Sequence, residues 1–185
     1  MKRIFIAVKV EPGETLSELI STFKATLSKD SIKWTNPQNN HITLVFLGDT
    51  DEKMIEPICS MLHDQSKEAS KFELVLKGSG VFRNMNDPRI IWTGIEPSEK
   101  LNYLNKVIVT GLKKLNFKLE DRPFNPHLTL GRIIHLNDKE TLNTLIAQFQ
   151  NNIIQIVKVN EVVLYESILL QTGPVYKPLE IFSLL

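Results

Sequence analysis

With 185 residues, 42% apolar and 23% charged side chains and a formal net charge of +1, the chain has the composition of an ordinary globular protein. That balance excludes a disordered chain, and it excludes attachment to long duplex nucleic acid by charge alone, although a local basic patch stays open. The single cysteine, Cys59, excludes an intramolecular disulfide and a cysteine-rich metal site, and a small buried apolar role is expected for it.

The N-terminus runs from charged Lys2-Arg3 into apolar Ile4 to Val8 and stops at Lys9. This is too short to span a membrane and lacks a small-residue cleavage site, so residues 2 to 10 are expected to form a first strand, in a cytoplasmic protein. After Glu11-Pro12-Gly13 the period changes: Leu16, Leu19, Ile20, Phe23 and Leu27 fall on one face of a helix. The polar loop Asn36 to Asn40 leads into a strand that begins His41-Ile42-Thr43-Leu44 and ends near Gly48-Asp49. A second helix is expected from about Asp51, burying Ile55, Ile58, Cys59 and Leu62. Phe72, Leu74 and Leu76 alternate as in a strand, and Gly78-Ser79-Gly80 allows a bend or bulge in it. Arg89 to Ile95 reads as a strand, and Leu101, Leu104, Ile108, Leu112 and Leu115 mark a third helix. Arg122-Pro123-Phe124-Asn125-Pro126 is a restricted, extended approach to His127-Leu128-Thr129-Leu130. A helix from Asp138 to about Phe149 follows, then strands over 153–159, 161–170 and 175–184.

His41-Ile-Thr43-Leu and His127-Leu-Thr129-Leu organise this order. Side chains alternate along a strand, so each His and its Thr share a face about 7 Å apart while the apolar neighbours enter a core. At average residue frequencies, finding this pattern at two of four histidines by chance has odds of about one in a thousand. The motifs lie 127 − 41 = 86 residues apart, near half the chain, and each is preceded by a helix and a proline-containing loop and followed by another helix. Two similar halves related by a pseudo-twofold axis, with both histidines facing one cleft, are expected.

Two imidazoles with ordinary ionisation near neutrality suit paired general acid and base work, and hydroxyls between them suit the non-bridging oxygens of a phosphoryl group. Such a site needs no metal when the substrate carries its own strained leaving oxygen. Zinc is the sharper rival, but neither motif has the neighbouring carboxylates or thiols that a metal site uses. No Gly-x-Ser-x-Gly nucleophile turn is present.

The chain resembles the 2H phosphoesterases, and within them the RNA 2′,3′-cyclic phosphodiesterases once called 2′-5′ RNA ligases. The residues that carry the resemblance are Arg3 to Val8, His41 to Asp49, Phe72 to Leu74, Gly80 to Phe82, Arg89 to Gly94 and Asp121 to Arg132. The resemblance implies an α+β fold over residues 1–185, a single domain of two similar lobes, with two antiparallel sheets flanking a central cleft and helices outside. It also implies metal-independent and cofactor-free hydrolysis of a terminal 2′,3′-cyclic phosphate to a 2′-phosphomonoester. By the family pattern His41 is the proton donor to the departing 3′ oxygen and His127 the proton acceptor that activates water, with Thr43 and Thr129 on the phosphoryl oxygens. RNA ends or small cyclic nucleotides are the expected partners, without a membrane, and the chain is expected to be a monomer.

Arg132 is a further expected substrate-binding residue, but an odd offset from His127 puts it on the wrong face unless the strand bulges near Gly131. Phe46 has the same offset from His41, and core packing is expected for it. Phe124, Trp34 and Trp92 are candidates to stack on a base, with the core the expected place for Trp92. Arg122, Lys118, Lys113 and Lys114 suggest either a basic rim for RNA or a solvated face. His63 and His135, the latter expected in a loop, are assigned no role. Two alternatives stand beside the phosphodiesterase: a 2H esterase for another cyclic nucleotide or a 2′-5′ linked oligonucleotide, and a non-catalytic RNA-end binding module.

Overall fold

The computed structural model describes residues 1–119, 123–171 and 173–185. The expectations placed on Asp121 and Arg122 lie outside the described residues. In chain order the elements are β1 (Lys2–Lys9), α1 (Glu14–Thr26), β2 (Ser31–Trp34), β3 (His41–Thr50), α2 (Ile55–Ser66), β4 (Phe72–Phe82) and β5 (Ile90–Ile95). They continue with α3 (Glu99–Lys114), β6 (His127–His135), α4 (Lys139–Phe149), β7 (Ile153–Val159), β8 (Glu161–Leu170) and β9 (Gly173–Ser183).

The strands hydrogen-bond in the order β7-β4-β5-β6-β3-β1-β8-β9, with β2 added to the edge of β6. Every pairing is antiparallel. Most neighbours share long registers, but β3 and β6 meet at the single pair Ile42↔Leu128. The sheet is therefore a four-stranded half, β3-β1-β8-β9, and a five-stranded half, β7-β4-β5-β6 with β2, joined at the two His-bearing strands. Each innermost strand lies beside the first strand of its own repeat, β3 beside β1 and β6 beside β5. The segments β1–α1–β3–α2 and β5–α3–β6–α4 are thus topologically alike, which gives the expected pseudo-twofold relation a structural form.

All four helices cover one face. Leu16, Leu19, Ile20 and Phe23 of α1, Ile58 and Leu62 of α2, Leu101, Leu104, Ile108 and Leu112 of α3, and Leu142 and Leu145 of α4 join one core with Ile4, Ile6, Val8, Ile42 and Leu128 of the sheet. Burial of these aliphatic stripes is the driving term. Local capping sets where two helices begin: Ser98 accepts from Leu101 N and Asp138 from Glu140 N and Thr141 N, which satisfies otherwise orphaned first-turn donors. On the opposite, open face a smaller cluster forms from Phe5, Ala7, Val163 and Tyr165, with Tyr176 packed on it.

Most expected elements stand within a residue or two of their predicted bounds, and β7 and β8 match them; α2 begins four residues later than expected, at Ile55, because a 3-10 turn capped by Asp51 occupies Glu52 to Met54. Gly78, with φ of +71°, marks the register shift in β4 that its glycines signalled. Strand β2 was not expected: its four residues sit between a helix end and a turn, too short to show a period. It carries Trp34 at its end, half-buried, with the ring over Gly131 and packed on the helix-side core. His135 is the last residue of β6, paired with Ser31, and does not lie in a loop. His63, assigned no role, donates from Nε2 to Glu180 Oε1 at 2.7 Å and so ties α2 to β9. Cys59 is buried as expected, and its thiol is pushed up to about 12, first by burial and then by the Glu180 carboxylate.

Asn40 is out of keeping with this core. It is 2% exposed, and both its Oδ1 and its Nδ2 are buried without a hydrogen-bond partner among the described residues. Two bare amide atoms carry a desolvation cost of about 1–3 kcal/mol that the isosteric leucine avoids. Asn40→Leu is expected to raise stability by about 1–2 kcal/mol in urea unfolding; an unchanged or lowered midpoint would show that the amide is satisfied after all.

Candidate active site

Leu128 is the β6 partner of Ile42, and carrying that register one residue each way sets His41 opposite Thr129 and Thr43 opposite His127. The four polar side chains then form a parallelogram on the open face, with each histidine diagonal to the other. Cross-strand neighbours are about 5 Å apart and strand repeats about 7 Å, so the histidine diagonal spans roughly 8–9 Å at the Cβ positions. Ile42, Leu44, Leu128 and Leu130 are buried under the helices, which anchors the alternation that turns the polar groups outward.

Both imidazoles are held in the same way. His41 Nδ1 lies 2.6 Å from the backbone oxygen of Asn39, and His127 Nδ1 lies 2.9 Å from that of Asn125. A carbonyl only accepts, so Nδ1 carries the proton in both rings and Nε2 is left to exchange one with a substrate. This support also stabilises the imidazolium when it forms. Neither carbonyl was foreseen, although the signal was present: both motifs extend to Asn-x-His-x-Thr, over Asn39 to Thr43 and Asn125 to Thr129.

Each strand bulges at the same place. Between Ile6↔Val45 and Ala7↔Thr43 the residue Leu44 is extra on β3, and between Ile91↔Gly131 and Trp92↔Thr129 the residue Leu130 is extra on β6. Each bulge reverses the face of the residues that follow it, in β3 as far as a second bulge at Leu47. Arg132 is thereby exposed on the side of His127 and Thr129, through the distortion that its offset required. For Phe46 the same geometry overturns the expected core role: it is 51% exposed on the His41 face, with the Arg3 guanidinium 4.8 Å from its ring centroid.

Trp92 also departs from the expected core position. It is the register partner of Thr129 on the open face, its ring lying against Gly80 and Gly94, where a Cβ on Gly80 would come within 2.4 Å of the indole. Phe82 packs on it at 5.3 Å and meets His127 edge-on at 4.6 Å. On the other half, His41 contacts Phe5 at 5.0 Å and the edge of Tyr176 at 5.0 Å. Phe82, Phe5 and Tyr176 come from β4, β1 and β9, and nothing local in the sequence links them to the motifs.

The expected substrate residue Phe124 is half-buried and packs on the helix-side core. With Phe46, Lys113, Lys118 and Asn125 it lines a groove of about 700 Å³ along the free edge of β3. Lys114 ends α3. Among the described residues, no three His, Cys, Asp or Glu side chains gather into a metal-binding group. No helix among them is long and apolar enough to cross a membrane.

Electrostatically the two histidines are coupled. Burial holds the His41 pKa below its ordinary value, the Asn39 carbonyl opposes that shift, and the like charge of His127 adds to it. Burial raises the Tyr176 hydroxyl, while the positive charges of Arg132 and Arg3 pull it back, which sets both guanidinium groups within electrostatic reach of the ring beside His41. Paired proton-exchanging nitrogens, two hydroxyls and two nearby guanidinium groups make an open face suited to an anion that reacts by proton transfer at both ends.

An antiparallel sheet with four helices on one face is the fold that the chain shares with the LigT-like phosphoesterases. The chain belongs to the family described as LigT like phosphoesterase, whose model matches residues 6–92 and 95–176. It is 34% identical over 184 residues to the RNA 2′,3′-cyclic phosphodiesterase of Methanothermobacter thermautotrophicus, covering 98% of each chain. It is also 34% identical over 179 residues to the RNA 2′,3′-cyclic phosphodiesterase of Thermotoga maritima, covering 96% of this chain and 92% of that one. Among solved structures, one from Thermus thermophilus superposes with a TM-score of 0.82 at 27% identity, covering 98% and 97% of the two chains. The crystal structure of E. coli LigT complexed with 3′-AMP shares the fold, with a TM-score of 0.79 at 22% identity over 99% and 98% of the two chains.

In a histidine-resolved NMR titration His41 is expected to titrate below its ordinary value of 6.5, and in His127→Ala its midpoint is expected to move up, because a like charge is gone. A downward move in that variant would contradict the coupling.

Proposed function

We propose that the chain hydrolyses RNA terminal 2′,3′-cyclic phosphates to 2′-phosphomonoesters by acid and base catalysis with His41 and His127, without a metal or another cofactor. The observation that carries this reading is the diagonal arrangement of two histidines with identical Nδ1 support and a hydroxyl beside each. In-line displacement at phosphorus needs a base on the nucleophile, an acid on the opposite leaving oxygen and donors between them. Relatives named for this activity across the length of the chain supply the substrate class.

In the proposed reaction His127 Nε2 takes a proton from water as its oxygen attacks phosphorus. The bond to the 3′ oxygen breaks, and His41 Nε2–H protonates that oxygen. Thr43 and Thr129 donate hydrogen bonds to the non-bridging oxygens, and Arg132 adds charge on the same face. The assignment of donor and acceptor follows the family pattern, because the two motifs are too alike to decide it. The depressed ionisation of His41 makes it a strong acid once protonated, and a bound phosphate anion draws its pKa back up. Trp92, Phe46 and Phe124 are aromatic surfaces available to a base, in the proposed order of proximity to the motifs. Some ligation is expected as the reverse reaction, since the same acid and base serve both directions.

The decisive experiment incubates the protein with RNA ending in a 2′,3′-cyclic phosphate and identifies the product, which is expected to be the 2′-phosphate in the presence of EDTA. His41→Ala and His127→Ala are each expected to reduce turnover by about a thousandfold or more with the circular dichroism spectrum unchanged. A 3′-phosphate product, loss of activity on chelation, or full turnover in the double variant would sink the mechanism. The pH–rate profile should be bell-shaped. Its His41 limb should lie at higher pH in kcat than in kcat/KM, because the substrate anion stabilises the imidazolium only in the complex.

A further inference from the structure

We propose that the β8–β9 hairpin clamps His41 through Asn39 and Tyr176, holding that imidazole in a single tautomer and orientation, so that Asn39 and Tyr176 are positioning residues for the first histidine. Its kinetic arm rests on the two-histidine reading above; its spectroscopic arm does not.

Asn39 makes both bonds of the clamp. Its backbone oxygen accepts from His41 Nδ1 at 2.6 Å, while its side-chain Nδ2 donates to the Pro174 carbonyl at 3.0 Å. Pro174 stands at the start of β9, 135 residues away in sequence. Two residues further along β9, the Tyr176 ring meets His41 edge-on, with centroids 5.0 Å apart and planes at 84°. Phe5 closes the triangle, 4.9 Å from Tyr176 and 5.0 Å from His41. Rotation of the imidazole therefore requires both that the carbonyl let go and that two rings move. Backbone bonds from Asn39 N to Asn36 O, from Asn40 N to Pro37 O and from Val10 N to Asn40 O also tie the loop bearing Asn39. The side-chain bond to Pro174 is what couples the carbonyl at Nδ1 to β9.

The second motif has the same carbonyl support and one ring, Phe82, but among the described residues no strand stands to Asn125 as β9 stands to Asn39. The hairpin thus distinguishes two motifs that are locally alike. Titratable or charged groups around His41 come from every side: Arg3 and Lys9 on β1, His127 and Arg132 on β6, Tyr165 on β8 and Tyr176 itself. Removing Asn39 or Tyr176 leaves all of the cationic ones in place, so the two removals act on His41 through different physics. Loss of the hook frees the carbonyl that favours the protonated ring. Loss of the Tyr176 ring lets water reach it and relieves the burial that disfavours protonation.

The test is a histidine NMR titration of the full chain labelled with nitrogen-15, which reads tautomer and midpoint at each ring. In the wild type His41 is expected as the Nδ1–H tautomer. Asn39→Ala should mix the tautomers and move the His41 midpoint down by about half a unit, the size of one hydrogen bond. Tyr176→Ala should move it up, whereas Tyr176→Phe, which keeps the ring, should retain the wild-type value. Against a 2′,3′-cyclic nucleotide Asn39→Ala should lose about tenfold in kcat with KM little changed. General loosening of the fold would move both alanine variants the same way, and that result, or no movement in either, overturns the clamp. A His41 found as the Nε2–H tautomer in the wild type also overturns it. A wild type inactive on the cyclic nucleotide overturns the proposed function instead, and the titration still decides the clamp.

Discussion

The candidate site depends on one contact between strands, the pairing of Ile42 with Leu128. Both side chains are fully buried under the helices. Because each is flanked by His and Thr, burying the aliphatic pair forces four polar groups onto the opposite face. The hydrophobic effect that holds the two halves together is thus also what assembles the site. A slip of one residue in either strand would exchange the polar and apolar sets, so the core and the geometry of the candidate site require the same register.

Beyond that seam the two halves repeat one another with local differences. Both strands bulge three residues past the histidine, which turns Phe46 outward in one half and Arg132 in the other. One half therefore contributes an aromatic surface and the other a guanidinium, from equivalent positions. The histidines diverge as well. His41 lies in an aromatic corner of Phe5 and Tyr176 that drives its ionisation down, while among the described residues His127 meets the ring of Phe82 alone. A symmetric pair of motifs is made unequal by the strands that happen to stand beside each one. Asymmetry of this kind suits the proposed reaction, with one acid and one base.

Much of this was legible in the order of residues. Period-2 and period-3.6 patterns located the strands and helices because burial of one face leaves a regular imprint. The parity of Arg132 made a distortion near Gly131 the condition for its sharing a face with His127, and the structure contains one at Leu130. The identical argument failed for Phe46, since an apolar residue at odd offset reads as core unless the bulge is known. Trp92 misled for a related reason: large aromatics are usually buried in the main core, but Gly80 and Gly94 leave a flat place for its ring on the other face. Strand β2 is too short to carry a pattern, and its pairing with β6 depends on where the loop after α1 happens to pass.

By itself the sequence determined every element but β2, the paired motifs and which side chains share a face between bulges, because strand alternation and helical period are local rules. It also held an unread signal in the repeated Asn before each histidine. Only the tertiary structure decided that β3 and β6 are neighbours, that His41 stands diagonal to His127, and that Tyr176 and Pro174 on β9 close around the first motif. These are contacts between residues separated by 86 to 135 positions. No periodicity reaches so far; such contacts form because antiparallel strands bury their apolar faces together and bring along the polar residues between.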